Sequence, residues 1–198
     1  MYLPQAFAMT DDAQIIQLMQ AYNFATLIHI HDGIPTISHV PLYVDETSRT
    51  LIGHLARQNP HAELLDQSQA YVIFQGPHDY ISTTAHASTQ GIPTWNYAVV
   101  HVRGACHVIY DDARILHSIE LLLQRYEAEP LNATRFNQVK QAIVFFEIKL
   151  DHVDAKFKLS QNRPVADQLH AIAELQHKNP ALADLMQQVL FDATSALE

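Results

Sequence analysis

Apolar residues first recur at helical spacing. Ile15, Leu18, Met19 and Tyr22 share one face of a helix predicted over residues 11–22, with Asp11 as its cap and Gln14 three residues on. The period then changes to two. Phe24 to His31, Ile34 to Val44 and Thr50 to Leu55 read as strands. Asp32-Gly33 is a hairpin signal between the first two, and Asp45 to Arg49 makes the next turn. Asn59 suits the cap and Pro60 the first position of a short helix reaching about Asp66. Ala70 to Gln75 reads as a strand ended by Gly76-Pro77, and residues 82–94 as a long polar loop. Asn96 to Tyr110 alternates as a long strand, with Gly104 marking a bulge or bend. Helices are predicted at 112–127 and 132–141, with Ile115, Ile119, Leu122 and Tyr126 on one face of the first. A strand follows from Ala142 to Val153, then an irregular stretch from Lys156 to Pro164. Helices at about 165–177 and 180–194 close the chain. Asn179-Pro180 repeats the cap logic, and Leu182, Leu185, Met186 and Val189 form the last stripe.

About six antiparallel strands with peripheral helices make an α+β chain centred on a small barrel that closes its own edges. The 198 residues suffice for one core. The expected organisation is a barrel domain over 1–164 and a helical extension over 165–198 packed on it.

Composition narrows the chemistry. The 48% hydrophobic and 17% charged fractions are those of a packed globular domain. No apolar run approaches the roughly 20 residues that span a bilayer, and the first residues lack signal-peptide character, so the expected location is the cytoplasm. Cys106 is the only cysteine, so an internal disulfide or cysteine metal cluster is excluded, and the thiol is expected in the core. The formal charge of -9 and the scattered Lys and Arg disfavour direct DNA binding, which needs a basic footprint. Only 5 Gly occur, and none forms a phosphate loop.

Three segments are candidate sites. Arg57 stands where a strand hands over to the helix capped by Asn59, a place where backbone N–H groups and a guanidinium fork suit a phosphate; a plain capped helix is the alternative. Lys156 to Arg163 gathers donors for a phosphate or a ribityl chain, or is a solvated connector. Thr94-Trp95-Asn96-Tyr97 carries the single Trp, which can stack on a flat ring or fill a core. Among 13 His, His29 and His31 share a strand face and His39 lies on the neighbouring strand, but no ligand spacing supports a metal. Ser82 and His78 are close in sequence without a nucleophile elbow.

The segments Met1-Tyr2-Leu3-Pro4, Phe24-Ala25-Thr26-Leu27, Ser38-His39-Val40-Pro41-Leu42, Gly53 to Pro60, Val72 to His78, Pro93 to His101 and Lys156 to Arg163 run in one order over nearly the whole chain. In them the chain resembles the PaiB-type family, the FMN-binding negative transcriptional regulators. The resemblance implies a split β-barrel like that of flavin reductases and pyridoxamine-phosphate oxidases. It further implies a homodimer with FMN in its cleft, and regulation exerted indirectly, through a protein or metabolite partner. Arg57 then corresponds to the phosphate corner. His39, Asn59, Trp95, Lys158, Ser160, Gln161 and Arg163 are carried over as pocket or cleft residues, and the catalytic residues are left unassigned. Alternatives are an FMN-dependent oxidoreductase or flavin reductase, with His39 or Tyr97 as proton donor, and a haem-binding split barrel. Between Ile81 and Pro93 the chain lacks the family's Trp-Tyr pair and its longer insertion. If that pair walls the flavin ring, FMN binding is weakened or lost.

Overall fold

A computed structural model describes residues 1–83, 92–125 and 132–195. The strands are β1 (Phe24–His31), β2 (Ile34–Pro41), β3 (Tyr43–Asp45), β4 (Thr50–Ala56), β5 (Ser68–Ile81), β6 (Thr94–Val108), β7 (Ile143–Lys149) and β8 (His152–Lys158). The helices are α1 (Asp12–Ala21), α2 (Asp112–Arg125), α3 (Ala133–Ala142), α4 (Val165–Lys178) and α5 (Pro180–Ser195). The strands form one sheet in the order β2-β1-β5-β6-β7-β4-β3, with β8 also paired to β6.

The eight strands correct the expected count of about six. The run Ile34–Val44 is two strands, because β2 pairs with β1 up to the rung in which the Leu42 N–H bonds the Asn23 carbonyl, and Tyr43 onward pairs with β4. The run Ala142–Val153 is likewise β7 and the start of β8, separated at Leu150-Asp151. There the Asp151 carboxylate accepts from the Ala105 N–H at 2.9 Å. β8 also takes in Lys156 to Lys158, which the sequence places in an irregular segment. β5 begins earlier than expected and runs through Gly76-Pro77 to Ile81. A proline removes one ladder bond, and a strand survives that where the bond is not required. The expected helix at 60–66 is a single 3-10 turn, Pro60–Leu64.

Contacts divide the chain into two compact units. One comprises Met1–Ile15, Gln75–Val100 and Asp154–Glu198, the other Ile16–Phe74 and His101–Val153. In the second unit Asp32 and Gly33 both have positive φ, 51° and 78°, as the expected tight hairpin demands. That turn sets the register Leu27↔Ser38 and His29↔Thr36. A Cβ on Gly104 would lie 1.7 Å from the Lys149 carbonyl oxygen, so β6 needs glycine for close approach to β7. Ile109, Ile115, Ile119 and Phe145 form a buried cluster under α2 and α3. Arg114 on α2 holds Asp45 at 2.8 Å and Glu147 at 3.1 Å.

In the first unit α4 and α5 are joined at Asn179. Its Oδ1 accepts from the Leu182 N–H, and its Nδ2 donates to the His78 carbonyl at 3.1 Å. Lys178 pairs with Asp79 at 2.6 Å. The corner of the helical pair is thereby tied to the last residues of β5. Among the described residues no helix is long and apolar enough to cross a membrane.

Candidate functional site

The sequence-predicted residues fall into both units. In the second, β4 delivers Arg57 to the turn after Ala56. Its Nε donates to the Gln141 carbonyl at 3.0 Å, and its Nη2 to those of Lys140 and Ile143 at 3.1 and 3.0 Å. The Arg57 N–H also bonds the Ala142 carbonyl. The guanidinium therefore caps the carbonyl end of α3, where helix polarity favours a cation. Three of its N–H bonds are committed to backbone.

Asn59 caps the 3-10 turn, its Oδ1 accepting from the His61 N–H at 3.0 Å. This places His61, a residue the sequence reading did not single out. The His61 ring lies between two partners: its Nδ1 is 2.7 Å from Ser38 Oγ, and its Nε2 is 2.8 Å from His29 Nδ1. Burial, and then the neighbouring His61, push the His29 pKa down to about 4; burial also lowers that of His61. Both rings are neutral near pH 7. His29 Nε2 is buried with no hydrogen-bond partner among the described residues. His39 pairs across the ladder with Thr26, which puts it on the opposite face from His29, and its ring stacks on Phe24 at 6.3 Å. Only the Asn59-Pro60 cap in the sequence points toward the His29–His61 pair.

The first unit gathers the other candidates. Lys158 Nζ donates to Thr94 Oγ1 and to the Trp95 carbonyl, each at 2.5 Å, which ties the end of β8 to the start of β6. Ser160 has a φ of 70°, and its hydroxyl exchanges hydrogen bonds with the buried Asn96 amide at 2.9 and 3.2 Å. Gln161 folds back on the same turn, accepting from the Leu159 N–H and donating to the Phe157 carbonyl. Most polar groups of this loop hold its shape.

Two features of this unit are left for a ligand. Lys158 has its pKa lowered by burial first and then by Lys156 and Arg163, so three cations crowd one region. The Lys156 ammonium sits over the rings of Tyr2 and Tyr97, 5.3 and 5.5 Å from their centroids. Beside them Trp95 is 54% exposed, with Tyr80 edge-on at 6.2 Å and His78 tilted at 6.3 Å. A flat aromatic surface next to mutually repelling cations suits a planar ring that carries an anionic tail. The departure from the family pattern noted between Ile81 and Pro93 falls largely on residues 84–91, outside the described residues.

Comparison with known proteins places this arrangement. Residues 1–152 match the family described as "Putative FMN-binding domain". The chain is 30% identical over 203 residues to the Bacillus subtilis (strain 168) protein named "Protease synthase and sporulation protein PAI 2", covering 97% of each. Among solved structures it is similar to the "FAD and Heme binding protein" of Mycobacterium smegmatis, with a TM-score of 0.64 and 15% identity over 83% of this chain and 79% of that one. It is also similar to the Flavocytochrome Anf3 of Azotobacter vinelandii, with a TM-score of 0.60 and 12% identity over 76% and 69%. These two likenesses establish the fold, a split barrel, and the match over most of the sequence establishes the kinship. The chain belongs to the FMN-binding domain family, as a PaiB-type split-barrel protein.

Proposed function

We propose that this protein is a cytoplasmic, homodimeric flavin-binding regulator that acts through a protein or metabolite partner and not by autonomous DNA binding. The observation that carries the reading is the pair of β8 lysines beside exposed Trp95: Lys158 Nζ reaches the Trp95 carbonyl, and Lys156 sits over the Tyr97 ring two residues on. An anion brought to that region would relieve the repulsion, and a phosphate ester on a planar ring supplies both parts. Lys158 and Arg163 would hold the phosphate, Trp95 and Tyr80 would face the ring, and Ser160 and Gln161 would keep the loop in shape. The donor set fits FMN. When bound, the flavin supplies a centre that accepts and returns electrons; the residues of this chain bind it, orient it and limit its contact with water. Arg57 has no contact with the flavin in this reading; its donors anchor the end of α3.

A second copy suits the outward face of β1, β2 and β5. Phe24, Ile30, Ile37 and Tyr71 are exposed there, with Ile28 and Ile73 half-buried between them. An apolar sheet face of this kind is a protein contact surface. His39 lies in it, which agrees with a place at a dimer cleft. Residues 165–198 remain, in this reading, a helical extension of the barrel domain.

Haem is less well served than flavin, because the buried pair His29 and His61 bond to each other. The test is titration of purified protein with FMN, followed by Trp fluorescence, since Trp95 is the only Trp. Saturable quenching of Trp95 is expected, and so is weaker FMN binding by calorimetry in Trp95→Ala; absence of any FMN binding refutes the proposal. Rapid anaerobic reduction of the bound flavin by NADH or NADPH would favour the oxidoreductase reading. Tight, competitor-resistant DNA binding in a mobility-shift assay would overturn the indirect mode.

A further inference from the structure

A cavity within the Ile16–Phe74 and His101–Val153 unit has no role in the flavin reading. It measures about 400 Å3, within the range of small-molecule sites, and lies where the end of α1, strand β3 and the end of α2 come together. Its lining is mixed: Leu42, Tyr43 and Leu121 supply apolar surface, with Leu42 and Tyr43 buried, and Gln20, Asn23 and Arg125 supply polar surface. Two of its polar residues, Asn23 and Arg125, offer donors. Asn23 Nδ2 is buried without a hydrogen-bond partner among the described residues. Arg125 lines the cavity and donates through Nη2 to the Gln20 carbonyl, and a guanidinium has further N–H groups in the same plane. Gln20 in turn donates to Glu46, which keeps the nearby carboxylate engaged. No Asp or Glu is among the described lining residues.

We infer that this cavity binds a small organic carboxylate with an apolar body. The carboxylate would lie between the Arg125 guanidinium and the Asn23 amide, and the apolar part against Leu42, Tyr43 and Leu121. A buried donor without an acceptor costs about 1–3 kcal/mol. A carboxylate provides acceptors for both groups, and its charge complements the one cation in the lining. A neutral amide of the same shape would offer one weaker acceptor and no charge. An amine would leave Asn23 unsatisfied and face Arg125. None of its lining residues is among those proposed to hold flavin, so a ligand here is a candidate effector, and its existence does not depend on flavin binding.

The experiment uses the full chain and two probes, phenylacetate and phenylacetamide, followed by calorimetry and by amide chemical shifts. Saturable phenylacetate binding is expected, with shifts at Asn23 and along α2. Phenylacetamide should bind at least about tenfold more weakly, in keeping with loss of a charge-assisted bond. Arg125→Ala should weaken phenylacetate by a similar factor. Leu121→Trp, which fills the cavity, should abolish it while leaving the FMN affinity read by calorimetry unchanged; circular dichroism checks that each variant is folded. Absence of saturable phenylacetate binding to the wild-type chain overturns the inference. So does equal binding of acid and amide, or undiminished binding in a folded Leu121→Trp protein. Failure of FMN to bind would leave it standing.

Discussion

Acidification tests the buried histidine pair most sharply. In the folded chain His29 has its pKa held at about 4, against an ordinary 6.5, by burial and by His61. The unfolded chain therefore takes up the proton first. Stability is fully present above pH 6.5, falls as the pH drops from 6.5 to 4, and levels off below that. At ~1.4 kcal/mol for each pH interval, the contribution lost is about 3 kcal/mol. His29 is 2% exposed, so solvent screening does little to reduce it. The loss is a large part of the 5–15 kcal/mol that typically holds a domain together. His61 and His54, both lowered by burial, add to it in the same direction. Asp45 and Asp79 do not confuse the window: their lowered pKa values make their contributions vanish only below the ordinary carboxylate range. The assay is urea unfolding at 25 °C at a series of pH values, for wild type and His29→Gln. Gln can bond His61 but cannot take up a proton. The wild-type curve should fall more steeply between pH 6.5 and 4, by about 3 kcal/mol in all. Parallel curves would show that His29 does not carry a depressed pKa, and the buried pair would have to be redrawn.

Other consequences follow from single contacts. Arg114→Ala leaves Asp45 buried without its cation and should cost about 2–3 kcal/mol by urea unfolding, scaled down from a fully buried pair because Arg114 is a quarter exposed. Gly104→Ala places a methyl group on the Lys149 carbonyl, so it should prevent native β6–β7 pairing, seen as loss of the cooperative thermal transition. Arg57→Ala should lower stability by about 1–3 kcal/mol through the uncapped end of α3 and leave FMN affinity within about twofold once folded protein is selected. If the proposed dimer forms through the exposed face of β1 and β2, Ile37→Asp should give a monomer in sedimentation; an unchanged sedimentation coefficient would refute that face.

Much of the fold is written in local signals. Asp32-Gly33, Asn59-Pro60 and Asn179-Pro180 mark turns and caps because only a few residues satisfy those backbone geometries, and the structure uses all three as expected. The stripe Ile15, Leu18, Met19 likewise gives α1. What was hidden is set by partners distant in sequence. The run Ile34–Val44 divides only because its two parts pair with different strands, β1 up to the Leu42–Asn23 bond and β4 from Tyr43 on. Arg57 looks like an anion ligand at a strand–helix junction, because its sequence neighbours do not disclose that residues 140–143 supply carbonyls to it. His29 and His61 are 32 residues apart and meet through strand register and a helical cap, which composition does not report. The donor loop 156–163 was visible as a loop of donors; that most of them bond the loop itself required its shape.

The central claim is that Lys158 and its neighbouring cations read a phosphate. The most direct measurement is the affinity of the purified chain for FMN and for riboflavin, which share the ring and differ in the phosphate, in wild type and in Lys158→Ala. FMN should bind wild type more tightly than riboflavin by at least about tenfold, the worth of one charge-assisted hydrogen bond, and Lys158→Ala should erase most of that gap. Equal affinities in wild type, or a gap that survives in Lys158→Ala and vanishes in Arg57→Ala, would contradict the account.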